Sequence, residues 1–358
     1  FCRTIAAESG PSRKAKDPRR SHSPVKIKRA PVRLKLLDCG TVPFLVICPQ
    51  NCGKLNLKRR GIMKSVFAGI CLVLTFAAMA HALPAPAPAV PVVAGHYPAG
   101  AEGINGASLP PPGLYVRDYN MFYSSDTFQN GPPDFDIKAY INAPRLIWMT
   151  DKKIFGAQYG MDVIVPFVYM DWTAGGNSDH YSGVGDIQIE PLLLSWQFKQ
   201  FDLAAGYAVW VPTGDYAPAR PDLVSKGFWS HMLTLGGTWY PDKEKTWAVS
   251  LLNRYEFCHE QEDTHTDPGQ VFTTEWGLSK SLRPGLDIGF IGYYQQQVTE
   301  DSGPRATDKL DRKIGAGPEI SAFWPKLGLF TSLRYAHEFS VVERPEGDLI
   351  TLTLTKPF

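Results

Sequence analysis

Leu327-Gly328-Leu329-Phe330-Thr331-Ser332-Leu333-Arg334-Tyr335-Ala336-His337-Glu338-Phe339 and the run from Gly347 to Phe358 are the two ribbons whose reading decides the fold. In the first, Leu327, Leu329, Thr331, Leu333, Tyr335, His337 and Phe339 alternate with residues that include Arg334 and Glu338. That is a period of two with one largely apolar face and charge on the other. In the second, Ile350, Leu352 and Leu354 alternate with Thr351, Thr353 and Thr355, and Phe358 closes the run. A soluble sandwich produces the same alternation. A membrane barrel is favoured when a dozen such ribbons, a secretory signal and a terminal aromatic residue occur together.

The chain has 358 residues and a formal net charge of +2, and that total conceals two opposed pieces. Residues 1–62 hold 15 Lys and Arg against 3 Asp and Glu, about +12, which leaves about −10 for the remainder. The basic piece has no sustained apolar period and no Met. From Met63 onward a secretory signal is expected over 63–82: Lys64 as a positive start, Val66 to Ala78 as the apolar region, and Ala80-His81-Ala82 as a small-x-small cleavage site. Residues 1–62 then read as an upstream translated or disordered segment. The rival reading, a basic arm for nucleic acid built on Arg13 to Arg20 and Lys58 to Arg60, sits badly with a signal that starts at 63. No nucleic-acid partner is expected. After cleavage Cys258 is the one remaining cysteine, so no internal disulfide can form.

Residues 83–112 read as a Pro/Gly-rich periplasmic or plug segment, opening with the extended spacer Leu83 to Ala94. The stretch His96-Tyr97-Pro98-Ala99-Gly100-Ala101-Glu102-Gly103-Ile104-Asn105-Gly106-Ala107-Ser108-Leu109, followed by Pro110-Pro111-Pro112-Gly113 and Leu114 to Asn120, resembles the N-terminal hallmark of an outer-membrane transporter family. That family is named for the meta-cleavage pathway of phenol degradation. The resemblance implies an outer-membrane barrel and uptake of small compounds, aromatic ones among them.

Independently, residues 113–358 divide into twelve ribbons, at 113–126, 135–150, 154–172, 182–198, 201–213, 228–240, 245–258, 269–282, 285–298, 312–324, 327–340 and 347–358. About 9 to 11 residues suffice for a tilted spanning strand. The breaks alternate in length. Asp151-Lys152-Lys153, Lys199-Gln200, Pro241 to Glu244, Arg283-Pro284 and Pro325-Lys326 are short; Thr173 to Tyr181, Gly214 to Gly227, His259 to Pro268 and Thr299 to Asp311 are long. Outer-membrane barrels have this asymmetry of short periplasmic turns and longer outer loops, and a sandwich has no cause for it. The expected fold is therefore all-β, a transmembrane antiparallel up-and-down barrel of about 12 strands, exported by a cleavable signal to a bacterial outer membrane. Its partners would be outer-membrane lipid, the barrel-assembly machinery and a small-molecule substrate.

Trp172, Trp196, Trp210, Trp229, Trp239, Trp247 and Trp324 fall near ribbon ends, as an interfacial girdle requires, and Trp148 and Trp276 fit less cleanly. Pro144, Pro166, Pro191, Pro212 and Pro318 fall inside ribbons, where each removes a ladder donor. Four of them, Pro144, Pro166, Pro191 and Pro212, lie in successive ribbons and mark a candidate lateral opening in the wall; ordinary bulges are the alternative. Lys356 departs from the usual apolar pattern leading to a terminal aromatic.

The ribbon faces opposite the apolar ones carry Gln188, Glu190, Arg254, Glu256, Asp287, Lys313, Glu319, Arg334 and Glu338. A basic group facing lipid at mid-depth costs about 2 to 4 kcal/mol, so these read as lining the lumen. They either neutralise one another as filling or set what passes. No nucleotide loop, nucleophile elbow or H-E-x-x-H helix occurs, so soluble catalysis is not expected. Ser230-His231 could suggest a membrane-embedded hydrolase, but adjacent strand residues point to opposite faces. The loop His259, Glu260, Glu262, Asp263, His265, Asp267 holds possible cation ligands and reads first as a solvated outer loop. No cofactor or metal is expected. The reading is a channel for passive uptake of small compounds, with a lipid hydrolase and a non-conducting structural or adhesion barrel as alternatives. The membrane-extracted protein should have the intact mass of Leu83 to Phe358, and peptides from 13–60 in that material would refute the processing.

Overall fold

In the computed structural model, residues 95–216 and 225–358 are described. The expected basic segment, the signal and the Pro-rich spacer lie outside them. Fourteen strands follow in order: β1 (Gly113–Phe128), β2 (Asp136–Ile154), β3 (Ala157–Ile164), β4 (Phe167–Ala174), β5 (Asn177–Val184), β6 (Ile187–Gln197), β7 (Phe201–Val211), β8 (Ser230–Trp239), β9 (Trp247–Cys258), β10 (Val271–Arg283), β11 (Leu286–Gln297), β12 (Arg312–Trp324), β13 (Leu329–Val342) and β14 (Pro345–Pro357). All pair antiparallel in one sheet, and β1 pairs with both β2 and β14, which closes it. Tyr119 of β1 stands opposite Ala143 on one side and Thr353 on the other. Closure leaves no open edge around the barrel's base and satisfies the ladder groups internally, which a lipid environment demands.

The period-two sequences fold inside out relative to a soluble protein. Along β9, Ala248, Ser250, Leu252, Arg254 and Glu256 turn inward and are buried, while Trp247, Val249, Leu251 and Phe257 turn outward, with Leu251 49% exposed. The same holds for Leu233 and Leu235, Phe290, Ile320, Leu333 and Ile350. An apolar exterior around a charged interior has one compatible solvent, hydrocarbon. Trp229, Trp239, Trp247 and Trp324 lie exposed on this outer face. Trp210 does not join them, because it is buried and points into the lumen.

Twelve ribbons correspond to the fourteen strands because two ribbons are broken. The ribbon read as 154–172 is β3 and β4, interrupted at Val165-Pro166, and the ribbon read as 182–198 extends back to become β5 and β6, interrupted at Gly185-Asp186. β2 spans both levels: Arg145 to Ile154 pairs with β3, and Asp136 to Asn142 pairs with β4. The expected long loop from Thr173 to Tyr181 is instead a tight hairpin. Gly175 and Gly176 have φ of 58° and 79°, the left-handed pair that a two-residue turn needs, and Asn177 to Ser182 continues as strand. Likewise Asp151-Lys152-Lys153 is not a turn; β2 runs through it to a turn at Phe155-Gly156.

The prolines are placed variously. Pro144 lies in β2 opposite Asp118, and Pro191 lies in β6 at a register shift between Ile189 and Leu192. Pro318 lies in β12 opposite Phe290. Pro166 and Pro212 are not interior: one separates β3 from β4, and the other follows the last residue of β7. A closed ladder with internal bonding should resist detergent until heated, so unheated and heated samples should migrate differently on a gel. Identical migration would contradict the closed barrel.

Candidate functional site

The lumen is filled by Gly95 to Leu109, which lies inside the barrel before the chain turns into β1. Its residues Tyr97, Ala99, Ala101 and Ile104 share one apolar cluster with Tyr119, Met121, Trp210, Met232, Ile291, Tyr293 and Leu349 from the wall. The segment has no regular structure, so its amides need partners that no neighbouring strand supplies. Inward carboxylates take that role. Glu256 Oε1 accepts from His96 N at 2.7 Å and Glu256 Oε2 from Tyr97 N at 3.2 Å. Glu275 Oε1 accepts from Gly100 N at 2.8 Å and Glu102 N at 3.2 Å, and Glu319 Oε2 accepts from Ile104 N at 2.8 Å. Carbonyls are met from the other direction: Gln295 Nε2 donates to Tyr97 O at 2.9 Å, and the Arg334 guanidinium donates to Gly100 O and Ala101 O. At the far end of the plug Ser108 Oγ donates to Asp202 Oδ2 at 2.9 Å and lies 2.9 Å from Thr238 Oγ1.

Two glycines let the plug come this close. A Cβ on Gly277 would stand 2.6 Å from Ile104 Cα, and one on Gly289 would stand 2.7 Å from Ile104 Cγ2. Both strands therefore present bare backbone where Ile104, 2% exposed, is seated.

Glu102 sends its own carboxylate into a cluster of arginines, 3.1 Å from Arg145, 3.4 Å from Arg117 and 3.9 Å from Arg254, with Tyr119 Oη at 3.0 Å. Burial alone would raise this carboxyl, but Arg117, Arg145, Arg254 and Arg334 together outweigh it and bring it from the ordinary 4.5 down to about 2. Arg145 is shared further with Asp162 and Glu190, the latter at 3.1 Å. Charge is thus compensated in place, which a dry interior requires.

Of the residues expected to line the lumen, Arg254, Glu256, Glu319 and Arg334 meet the plug rather than open water. Glu190 meets Arg145. Lys313 pairs with Glu338 at 2.9 Å, and Glu338 also accepts from Tyr123 and Tyr293. Gln188 is buried beside the cavity described below, and Asp287 is half-buried at the periplasmic start of β11. Glu102, Arg145, Glu275 and His96 escaped the sequence reading. Glu275 was within reach, since it shares the inward phase of Thr273 and Ser279. Ser230 and His231 part as strand alternation requires. Ser230 Oγ is fully buried and donates to Glu256, whereas His231 stacks outside on Tyr207 and meets His259 edge-on. In the loop of possible cation ligands His265 pairs with Glu260 at 2.8 Å, and among the described residues no three His, Cys, Asp or Glu side chains gather around a metal position.

Beside the plug lies a cavity of about 290 Å³. Its walls are mainly apolar, with Met121, Ile141, Ala143, Ile164, Val168, Met170 and Met232 opposite Tyr97 and Ala99. It reaches Pro166, Asp186 and Gln188, at the level where the two ribbons break. The break is held by single bonds instead of a ladder: Val165 N to Pro144 O, Gly185 N to Pro166 O, and Thr213 Oγ1 to Gly185 O. β7 ends at Val211 opposite Ile187, and among the described strands β5 pairs with β4 alone. Above Gly185, among the described residues, β5 has no second ladder partner, and this is the seam of the described wall.

The fold and lumen define a plugged transmembrane β-barrel with an apolar side cavity. The family described as "Putative MetA-pathway of phenol degradation" matches residues 120–354, and the chain belongs to that family. Among solved structures, the COG4313 outer membrane channel from Pseudomonas putida F1 superposes with a TM-score of 0.64 at 16% identity, over 72% of this chain and 99% of that one. The beta domain of the Bordetella autotransporter Brka gives 0.44 at 10% identity over 70% and 100%, and the KdgM porin 0.39 at 11% over 68% and 99%. At these identities the first likeness establishes shared fold, and the other two carry no argument. No curated protein sequence matches the chain.

The Glu102 shift fixes a pH window. A depressed carboxyl contributes its stabilisation fully above 4.5 and loses it as pH falls toward about 2, on the order of 3 kcal/mol. Glu102→Gln should therefore lower the protection of residues 100–108 from hydrogen exchange at pH 7 and change it little at pH 2. Equal protection of both proteins at pH 7 would remove Glu102 as an anchor.

Proposed function

We propose that the protein is an outer-membrane channel for passive uptake of small apolar compounds, aromatic ones included, and that these leave the lumen sideways through the seam. The observation that carries the reading is the position of the cavity, mainly apolar on its walls, lined on one side by the plug and reaching the break at Pro166 and Asp186. A straight axial path along compensated charges would favour water and ions, whereas an apolar solute gains by passing from an apolar pocket to hydrocarbon. Membership of the phenol-pathway family and the likeness to a structure named as an outer membrane channel support the same class. The outer-membrane location rests on the apolar belt and these same likenesses.

A lipid hydrolase is disfavoured by Ser230, whose hydroxyl is buried in the lumen and committed to Glu256, away from any membrane ester. A non-conducting barrel has no use for the side cavity.

Ala143→Trp should fill the cavity, and Pro166→Val should supply an N–H at the break. Each variant should slow entry of a neutral aromatic tracer into proteoliposomes by about tenfold, a difference of about 1.4 kcal/mol in the path. Small-ion conductance in a planar bilayer should stay nearly unchanged in both. Equal loss of the two signals would favour an axial pore, and loss of neither would exclude the cavity from the path.

A further inference from the structure

The outer end of the plug is fixed differently from the rest. Glu275 and Glu319 take plug amides alongside Tyr97 Oη, Arg254 and Ser332, but at His96 an imidazole ring is inserted between two carboxylates. His96 Nδ1 stands 2.9 Å from Glu256 Oε1, and Nε2 stands 3.3 Å from Asp186 Oδ2. The ring is almost wholly enclosed, stacked on Trp210 at 5.5 Å and touched edge-on by Phe228 at 4.7 Å. Ser230 Oγ lies 2.8 Å from Nδ1 and donates to the same Glu256 oxygen. A neutral imidazole carries one N–H and can serve one of the two carboxylates; the imidazolium serves both.

Asp186 joins this ring to two other parts of the wall. It sits at the break between β5 and β6, and it accepts from Gly214 N at 3.2 Å and Lys226 N at 2.7 Å on the outer loop that follows β7. The plug, the broken ribbon and the outer loop therefore meet at one carboxylate.

We propose that a proton on His96 latches the outer end of the plug, so that loss of this proton releases one of the ring's two carboxylates, loosens the Gly95 to Tyr97 end and opens the side cavity toward the outer mouth. The gating consequence rests on the channel reading above; the latch itself does not. Burial of the ring opposes its charge, but the hydrogen bond to Glu256 and attraction from Asp186 and Glu256 prevail and raise its pKa above 6.5. The linkage sign follows: stabilisation by the charged ring is complete below 6.5 and is lost as pH rises through the raised value. The groups around the ring are Asp186 from the break, Glu256 and Cys258 from β9, Ser230 from β8, Trp210 from β7, and Phe228 and Lys226 from the outer loop. Lys226 also titrates in the alkaline range, since burial and the nearby Arg344 push it down to about 8. The test must separate it from His96.

Hydrogen-exchange protection factors for residues 95–97 of the refolded full chain, measured at pH 6 and pH 9, read the latch without any need for transport. In the wild type, protection should fall by about tenfold or more, as loss of one charge-assisted hydrogen bond implies. In His96→Gln it should be low and flat, in His96→Lys high at both values because the charge persists, and in Lys226→Gln it should fall as in the wild type. Heat-dependent gel migration certifies that each variant is folded, and Asp186→Asn offers a milder change that should move the midpoint toward lower pH. Flat protection in the wild type, or a fall that persists in His96→Gln, would overturn the latch. A fall in protection with no tracer or ion passage at any pH would uphold the latch and overturn the channel reading. Passage that rises with pH equally in the wild type and His96→Lys would overturn the gating.

Discussion

The structure depends on one requirement: an irregular segment inside a barrel must have its amides satisfied without water. Glu256, Glu275 and Glu319 meet it from β9, β10 and β12, each accepting from plug N–H groups. A hydrogen bond to a charged group is worth about 1.5 to 3 kcal/mol, against about 1 for a neutral pair, so three carboxylates hold more firmly than three amides would. Buried carboxylates then demand cations, and Arg254 and Arg334 stand within the same array, donating to Glu275 and to plug carbonyls. Charges that a porin would expose to a wet lumen are used here as fastenings.

The barrel was legible in the sequence because strand alternation writes itself in period two and several of the loop lengths alternate with it. Leu251, Phe290 and Ile320 outward with Arg254 and Glu319 inward needed no contact information. The broken ribbons were not legible. Asn177-Ser178-Asp179-His180 is polar and exposed, so its hairpin looked like loop, and Pro166 gives the same signal whether it interrupts a strand or ends one. The plug was less legible still, because glycine, proline and alanine carry no period. Its amides matter more than its side chains, and composition does not report what an amide meets. His96 opened the family hallmark without a role of its own, and Trp210, near a ribbon end, gave the pattern of an interfacial residue.

Gly277 and Gly289 show how the wall is fitted to the plug and not the reverse. A glycine inside a strand sacrifices packing and backbone order, roughly 0.5 to 1 kcal/mol relative to alanine. Ile104 recovers that loss, since burying such a side chain contributes about 1.5 to 3 kcal/mol. Two strands carry the cost so that one side chain can be seated against bare backbone. The plug is therefore part of the folded barrel's core.

That seating is one-sided, and the asymmetry explains where the cavity lies. Apart from the Glu102 side chain, the plug's polar contacts run mainly to β8 through β13, by way of Thr238, Ser250, Glu256, Glu275, Gln295, Glu319 and Arg334. The opposite wall, from β1 through β4, offers the plug mainly apolar side chains such as Met121, Ile141 and Val168. A segment drawn to one wall by carboxylates leaves space against the other, and that space is apolar because no amide there needed an acceptor. The ribbon breaks at Val165-Pro166 and Gly185-Asp186 fall on this second side. Firm bonding of the plug to β8 through β13 and weak laddering around β3 to β7 are thus complementary: the wall that holds the plug is continuous, and the cavity faces the wall that is not.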